Sequence, residues 1–229
     1  MNIFSDSIFP SYCPVCLNTV NTTGLCRNCL SSLVPAAPGC RICLAPIAQH
    51  EDSICVRCSA GVPFDRVYAL TRYRPPLSDV ICRLKYRSDI NLAKILGTLL
   101  TDHLKKYNPT LPELLTTVPL HKGRIKQRGF NQAVEIARTV SAQLRIKADY
   151  RCIEKSKVTP LQTTLNSHQR RHNLKRAFRL HHPLYAKSVA VLDDVMTTGA
   201  TVSEIASLLK TNGVSRVEVW VLARTAPSL

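Results

Sequence analysis

Apolar positions along the chain fall into two regimes. Up to about residue 60 they come singly or in pairs between cysteines and follow no period. From residue 67 the pattern becomes regular. Residues 67–73 alternate as a strand does, and Pro75-Pro76 ends that run. Leu77, Val80, Ile81 and Leu84 then recur at helical spacing. Residues 91–107 predict a longer helix, with Leu92, Ile95, Leu96, Leu99, Leu100 and Leu104 on a core-facing stripe and Lys94, Lys105 and Lys106 largely off it. Residues 114–120 read as a short apolar strand, and Val134, Ile136, Ala137, Val140 and Leu144 as another helix. Residues 189–192 predict a buried strand, 201–211 a helix ending before Gly213, and 217–222 a last strand. Strands alternating with helices at this spacing predict a parallel α/β sheet. The change of regime near Gly61 divides the chain into residues 1–60 and 61–229.

The first part is organised by cysteine. Four Cys-x-x-Cys pairs follow one another, Cys13/Cys16, Cys26/Cys29, Cys40/Cys43 and Cys55/Cys58, with gaps of nine, ten and eleven residues. A two-residue gap lets one tight turn aim both sulfurs at one ion, and two turns complete a tetrahedral site. Two structural Zn2+ ions would use all eight. Iron–sulfur ligation and redox thiols also use this pair, but near-equal spacing of paired knuckles fits zinc better. Four sulfur ligands leave no coordination position for water, which argues against catalytic zinc. Sequential sharing of the pairs is the first expectation and crossed sharing the alternative. So small an apolar content predicts that metal binding and folding are one event there. Cys82 and Cys152 lie among apolar residues and are expected to be buried thiols.

Charge separates the two parts further. Lys and Arg number 31 against 15 Asp and Glu, a formal +16. Residues 1–60 hold three of each sign, so the excess belongs to residues 61–229, with 28 against 12. An anionic partner follows for that part. Two four-thiolate zinc sites would lower the net to about +12 and keep its sign. No apolar run reaches 18 residues, so no membrane insertion is expected, and the start lacks a signal-peptide pattern. A cytoplasmic protein is expected, where structural disulfides are rare.

The sharpest motif is the run from Val189 to Thr201, Val-Ala-Val-Leu-Asp-Asp-Val-Met-Thr-Thr-Gly-Ala-Thr. An apolar strand brings Asp193 and Asp194 to its carboxyl end, where ligands bind in open α/β sheets. Thr197, Thr198, Gly199, Ala200 and Thr201 then open a helix, placing backbone N–H groups, hydroxyls and the positive helix end around one anion. Two carboxylates would repel that anion unless they faced hydrogen-bond donors, and ribose hydroxyls are such donors. Neither a Gly-Lys-Ser/Thr nor a G-x-G-x-x-G motif is present. The segment resembles the phosphoribosyl-pyrophosphate signature of type I phosphoribosyltransferases. That resemblance implies their fold, a parallel sheet flanked by helices, with Asp193 and Asp194 on the ribose hydroxyls and residues 197–201 on the 5′-phosphate. It departs at Thr197. In the 6-oxopurine enzymes this position is an aspartate acting on the base, a role threonine cannot fill at neutral pH.

A wider resemblance is to the ComF/GntX family of competence-associated, phosphoribosyltransferase-like proteins. It is carried by the paired cysteines, Tyr73-Arg74-Pro75-Pro76-Leu77, Leu84-Lys85-Tyr86, Val118-Pro119-Leu120, Arg128-Gly129-Phe130-Asn131-Gln132, the stretch from Gln162 through Asn173 to Phe178, and the acidic loop. By resemblance, the turn after residues 114–120 holds pyrophosphate, which the cations Lys122, Arg124, Lys126 and Arg128 suit. The alternative is a solvated basic loop. Gly129 permits a tight turn after Arg128, and Asn131 is placed to cap the next helix. Lys85, Arg170, Arg171 and Asn173 are candidates for a lid or a nucleic-acid contact, since residues 151–180 hold eight Lys/Arg against Glu154 alone.

The implied ligand is phosphoribosyl pyrophosphate, with Mg2+ held mainly by its oxygens and water. Two function classes stay open. One is a phosphoribosyltransferase of unknown acceptor. The other is a non-catalytic module that senses phosphoribosyl pyrophosphate or holds single-stranded DNA during uptake, alongside DNA-uptake or recombination proteins. Trp220 lies in an apolar strand, which weakens a base-stacking platform.

Overall fold

The computed structural model describes residues 11–20, 24–33, 39–45, 47, 54–87, 89–108, 110–155 and 177–225, with backbone only at 11, 86, 87, 122 and 127. Five parallel strands form the main sheet: β3 (Arg66–Arg72), β4 (Leu114–Thr117), β5 (Lys147–Ala148), β8 (Ser188–Met196) and β9 (Arg216–Arg224). Their order is β3-β9-β8-β4-β5. The central register pairs Val189 with Val217 and Leu192 with Trp220 on one side, and Leu114 with Val189 on the other. Continuous apolar runs in β8 and β9 are what a parallel sheet covered on both faces requires.

Side chains alternate along these strands, so each strand feeds two cores. One face carries Tyr68, Leu115, Ala190, Leu192, Trp220 and Leu222. It packs on α3 (Leu77–Arg87), α4 (Ile90–Tyr107) and α6 (Gln132–Leu144). The stripe predicted for α4 faces it, with Leu92, Leu96, Leu100 and Leu104 at 2% exposure or less. Trp220 is fully buried, and its indole N–H donates to Glu218 Oε2 at 2.9 Å, an oxygen that also accepts from Asn108 at 2.8 Å. The other face carries Val67, Ala69, Leu114, Val191, Val217, Val219 and Val221. It packs on α7 (Ala200–Thr211) and on a two-stranded antiparallel unit, β6 (Ile153–Lys155) with β7 (Phe178–Leu180).

The cysteine-bearing segments clasp the sheet from both sides. Cys13 and Cys16 lie between β1 (Ser11–Tyr12) and β2 (Thr19–Val20), and Cys26 caps α1 (Arg27–Ser31), accepting the Cys29 N–H at 3.4 Å. Val15 and Leu33 of this region pack toward the α3–α4–α6 side. Cys40, Cys43 and Cys58, the last in α2 (Val56–Ser59), belong to the opposite core, beside Phe64, Met196 and Val202. The second cysteine group is therefore part of the sheet's own hydrophobic packing.

Four expectations change. The strand read at 114–120 ends at Thr117, and that read at 189–192 runs on to Met196, because pairing with β9 continues through both aspartates. The basic turn after β4 is a short helix, α5 (Lys122–Arg128), with His121 Nδ1 accepting the Gly123 N–H at 3.1 Å. Cys82 is exposed, 3.6 Å from the Tyr73 hydroxyl, because the α3 stripe turns it away from the core. Cys152 is buried as expected, and burial pushes its thiol up to about 11. Among the described residues, no helix is long and apolar enough to cross a membrane.

Candidate functional site

The strand order fixes where a ligand can enter. From β4 the chain crosses by α5 and α6 to β5, on one side; from β8 it crosses by α7 to β9, on the other. β4 and β8 are neighbours, so the two connections part between them and open a crevice at their carboxyl ends. A cavity of about 300 Å3 occupies it. Its walls include Val118, Pro119 and Leu120 after β4, Arg124 and Arg128 of α5, Asp193 and Asp194 of β8, and residues 197–201.

Each residue of the Arg128-Gly129-Phe130-Asn131-Gln132 run has a structural task here. Arg124 and Arg128 are one helical turn apart and reach the cavity together. Gly129 ends α5 in the left-handed region at φ 80, where a side chain would be strained. Phe130 packs toward the α4–α6 core. The Asn131 side chain caps α6 by accepting the Ala133 N–H at 3.0 Å, and its amide ties back to the Val118 carbonyl at 3.1 Å. Gln132, 4% exposed, accepts from Arg128 at 3.3 Å and donates to Asp194 Oδ2 at 2.9 Å.

The two aspartates differ in environment. Asp194 is buried and its Oδ2 also meets Lys85 Nζ at 3.1 Å. It faces α3 and α6, paired by a cation and an amide, as a buried carboxylate must be. Asp193 is half-buried, and its Oδ1 accepts the Asp194 N–H at 2.8 Å. Burial, then the neighbouring Asp194 charge, pushes the Asp193 carboxyl up to about 8. The sequence reading had both carboxylates turned to sugar hydroxyls; in the structure Asp194 is engaged by protein, and only displacement of Lys85 or sharing of the carboxylate leaves it open to a ligand. Lys85, a candidate site, lid or nucleic-acid-contact residue from sequence, lies in the cavity wall.

The loop after β8 has the form of an anion cradle. Gly199, at φ 74, is the residue before α7, and Thr198 Oγ1 accepts the Ala200 N–H at 3.3 Å. A Cβ at Gly199 would fall 2.5 Å from Met196 Cε. Tyr73, Lys155 and Phe178 also line the cavity. Burial, then the Arg124 charge, lowers the Lys155 ammonium pKa, and Lys155 Nζ stands 5.7 Å from the Phe178 ring centre. Lys155 counted only within a basic stretch in the sequence; nothing there marks the β6–β7 pairing that brings it to the crevice. Arg170, Arg171 and Asn173 lie outside the described residues, as does the Lys122 side chain.

Two further clusters concern metal. Cys13, Cys16, Cys26 and Cys29 form one group and Cys40, Cys43, Cys55 and Cys58 another, the ligand atoms of each within 4.8 Å of one another. Sequential sharing is therefore the arrangement. Zn–S bonds of about 2.3 Å put tetrahedral sulfurs about 3.8 Å apart; Cys16–Cys26 and Cys43–Cys55 stand at 3.6 and 3.7 Å. Burial opposes ionisation at Cys13 and Cys40, yet backbone hydrogen bonds hold both near 6, while burial and neighbouring sulfurs push Cys29 and Cys58 up. Four thiolates so close need a divalent cation, and the donor set fits structural zinc. No comparable group stands in the crevice among the described residues.

Together these features define a class: an α/β protein with a parallel five-stranded sheet, a crevice at its switch point lined by cations and a carboxylate pair, and an N-terminal pair of four-cysteine zinc ribbons. Residues 4–59 match the double zinc ribbon domain family. The chain is 35% identical over 207 residues to the DNA utilization protein YhgH of Escherichia coli K12, covering 88% of this chain and 91% of that protein. It is also 35% identical over 212 residues to Competence protein F of Haemophilus influenzae, covering 88% and 90%. The chain belongs to this ComF competence-protein family. Competence protein ComFC of Streptococcus pneumoniae is more distant, 26% identical over 205 residues and 87% of each chain. Among solved structures, a purine phosphoribosyltransferase from Pyrococcus horikoshii aligns with 59% of this chain and 84% of its own at 15% identity and a TM-score of 0.35. The sheet order above stands independently of that distant likeness.

Proposed function

We propose that the crevice binds a 5-phosphoribosyl group, as phosphoribosyl pyrophosphate with Mg2+. The observation that carries this reading is the convergence, in one cavity, of an anion cradle, a carboxylate pair and a wall of cations. The cradle at residues 197–201 takes the 5′-phosphate, with the N-terminus of α7 behind it. Asp193 and Asp194 take the ribose hydroxyls, and Lys85 neutralises Asp194 until they arrive. Arg124 and Arg128 take the pyrophosphate, and Lys122, at the start of the same helix, is a further candidate. Mg2+ would supply further neutralisation of the leaving group. Cleavage at the anomeric carbon asks little of the protein beyond positioning and charge. Thr197 offers no general base to a purine, so an acceptor nucleophile brings its own reactivity or turnover is absent. On this reading residues 1–60 are a metal-stapled module set on a phosphoribosyltransferase-like domain of residues 61–229, in a cytoplasmic protein.

Calorimetric titration with phosphoribosyl pyrophosphate and Mg2+ tests the site. Binding to the wild type and its loss in Asp193→Asn/Asp194→Asn supports it; equal affinity in both proteins refutes it. Pyrophosphate release, screened across nucleobases and other amines, separates an enzyme from a sensor.

A second reading, contact with single-stranded DNA alongside uptake or recombination proteins, draws on the relatives described as competence and DNA utilization proteins and on the +16 formal charge. The full burial of Trp220 removes it as a stacking platform and leaves only a few tyrosines and phenylalanines for that role, so phosphate contact carries most of this reading. Affinity should then fall steeply with salt and weaken in Arg170→Ala/Arg171→Ala. Binding indifferent to salt excludes this reading.

A further inference from the structure

Two guanidiniums hold the turn after β8 from behind. Arg224, at the end of β9 and 4% exposed, donates to the Met196 carbonyl at 3.1 Å and to the Thr197 carbonyl. Arg57, in α2, donates to the Thr198 carbonyl and to Ser203 Oγ at 3.4 Å. Three successive carbonyls are thus drawn toward cations. In a planar trans peptide the following N–H points opposite to the carbonyl. The N–H groups of Thr197, Thr198 and Gly199 are therefore turned away from the arginines, toward the cavity these residues line. Successive N–H groups converging on one point form an anion nest.

Both arginines are anchored in the second cysteine cluster. Arg57 lies between Cys55 and Cys58, inside a metal knuckle. Arg224 also donates from Nε to the carbonyl of Cys43 at 3.2 Å. The first cluster has a different attachment. Arg83 of α3 donates to the Pro14 carbonyl, on the opposite face of the sheet, and neither residue lines the cavity.

We propose that Arg57 and Arg224 are positioning residues through which the second cysteine cluster shapes the anion cradle. Metal held by Cys40, Cys43, Cys55 and Cys58 and an anion held by residues 197–199 then favour one another, while the first cluster stands apart. The anion's identity as a phosphoribosyl group rests on the function proposed above; the orientation of the loop does not. Coupling of this kind is reciprocal: an anion in the cradle should help the second cluster retain its zinc.

The experiment uses the full-length zinc-loaded protein with Arg57→Ala, Arg57→Lys and, as a control, Arg83→Ala. Amide hydrogen exchange of the loop is read without ligand, and zinc content and ribose 5-phosphate affinity are measured in parallel. Arg57→Ala should keep two zinc ions per chain, speed exchange at residues 197–200 and weaken ribose 5-phosphate binding about fivefold, as loss of one charge-assisted hydrogen bond does. Arg57→Lys should recover part of both effects, and Arg83→Ala should change neither. In wild type, ribose 5-phosphate should raise retention of one zinc per chain against a chelator, and Arg57→Ala should reduce that gain. Unaltered loop exchange in Arg57→Ala, or the same acceleration in Arg83→Ala, overturns the proposal. If the wild type binds no ribose 5-phosphate, the phosphoribosyl reading fails, and the exchange data still decide whether Arg57 orders the loop.

Discussion

The Gln132 side-chain amide donates to Asp194 Oδ2 at 2.9 Å, joining the first residue of α6 to β8 across the switch point of the sheet. Because Gln132 also accepts from Arg128, the cation of α5 and the acid of β8 share one buried intermediary. Removing it takes from the buried Asp194 Oδ2 one of its two side-chain partners and leaves Lys85. Gln132→Ala should lower stability by about 1–2 kcal/mol, the usual consequence of an unsatisfied buried acceptor, and should weaken phosphoribosyl pyrophosphate binding. Gln132→Glu should do more harm than Gln132→Ala above neutral pH, since it sets a second carboxylate against Asp194. Chemical denaturation and calorimetry on both variants check this; a harmless Gln132→Glu contradicts it.

The raised pKa of Asp193 gives a pH dependence with a definite sign. Its folded value of about 8 lies above that of an unfolded carboxylate. The group therefore favours the folded state fully below about pH 4, the unfolded value, and loses that contribution as pH rises through about 8. Asp193→Asn removes the titration. Its melting temperature should exceed that of wild type by about 3 °C or more at pH 8.5, with the advantage shrinking toward pH 5. Parallel thermal melts across this range test it, and a difference that does not vary with pH contradicts it.

Much of this architecture was legible in the sequence, for reasons that can be traced. The α4 stripe and the β8 and β9 runs follow from burial, which imposes a period on the residues themselves. The four cysteine pairs declare their chemistry through spacing, and Asn131 announced the cap of α6. What escaped is what depends on contacts distant in sequence. Gln132 looked like the end of a motif, and only the adjacency of β4 and β8 turns it on Asp194. Lys155 enters the cavity through a strand of three residues, too short to leave a pattern. Arg57 carries no sequence signal for its role, because its contact lies 141 positions away at Thr198. Even the α5 helix was read as a turn, since seven residues rich in cations carry no apolar period.

The cations of α5 can be told apart from the cradle by choice of ligand. Arg124 and Arg128 face the cavity from the β4 side, opposite the β8 loop. If they hold the pyrophosphate, Arg124→Ala should weaken phosphoribosyl pyrophosphate about tenfold, as loss of a charge-assisted contact does. Ribose 5-phosphate, which lacks the pyrophosphate, should keep its affinity. Calorimetry with both ligands decides the matter; an equal loss for both would place Arg124 at the 5′-phosphate or in the fold instead.

The two zinc clusters should differ in what their loss does. Cys40, Cys43 and Cys58 belong to the apolar core on the α7 face, whereas Cys16 is exposed in the first cluster. A serine at Cys58 removes a ligand and also opens a core shared with Met196 and Val202, so loss of that metal should carry the sheet with it. A serine at Cys16 removes a ligand from a region that meets the α3–α4–α6 core through Val15 and Leu33 and is tied to α3 through the Pro14 carbonyl. Cys58→Ser should therefore melt far lower than wild type and lose anion binding, while Cys16→Ser should lose about one zinc per chain and keep most of the sheet's stability. Metal content by mass spectrometry, with thermal melts on the same samples, distinguishes the two. Equal destabilisation by both substitutions would mean that the first ribbon is as deeply built into the core as the second.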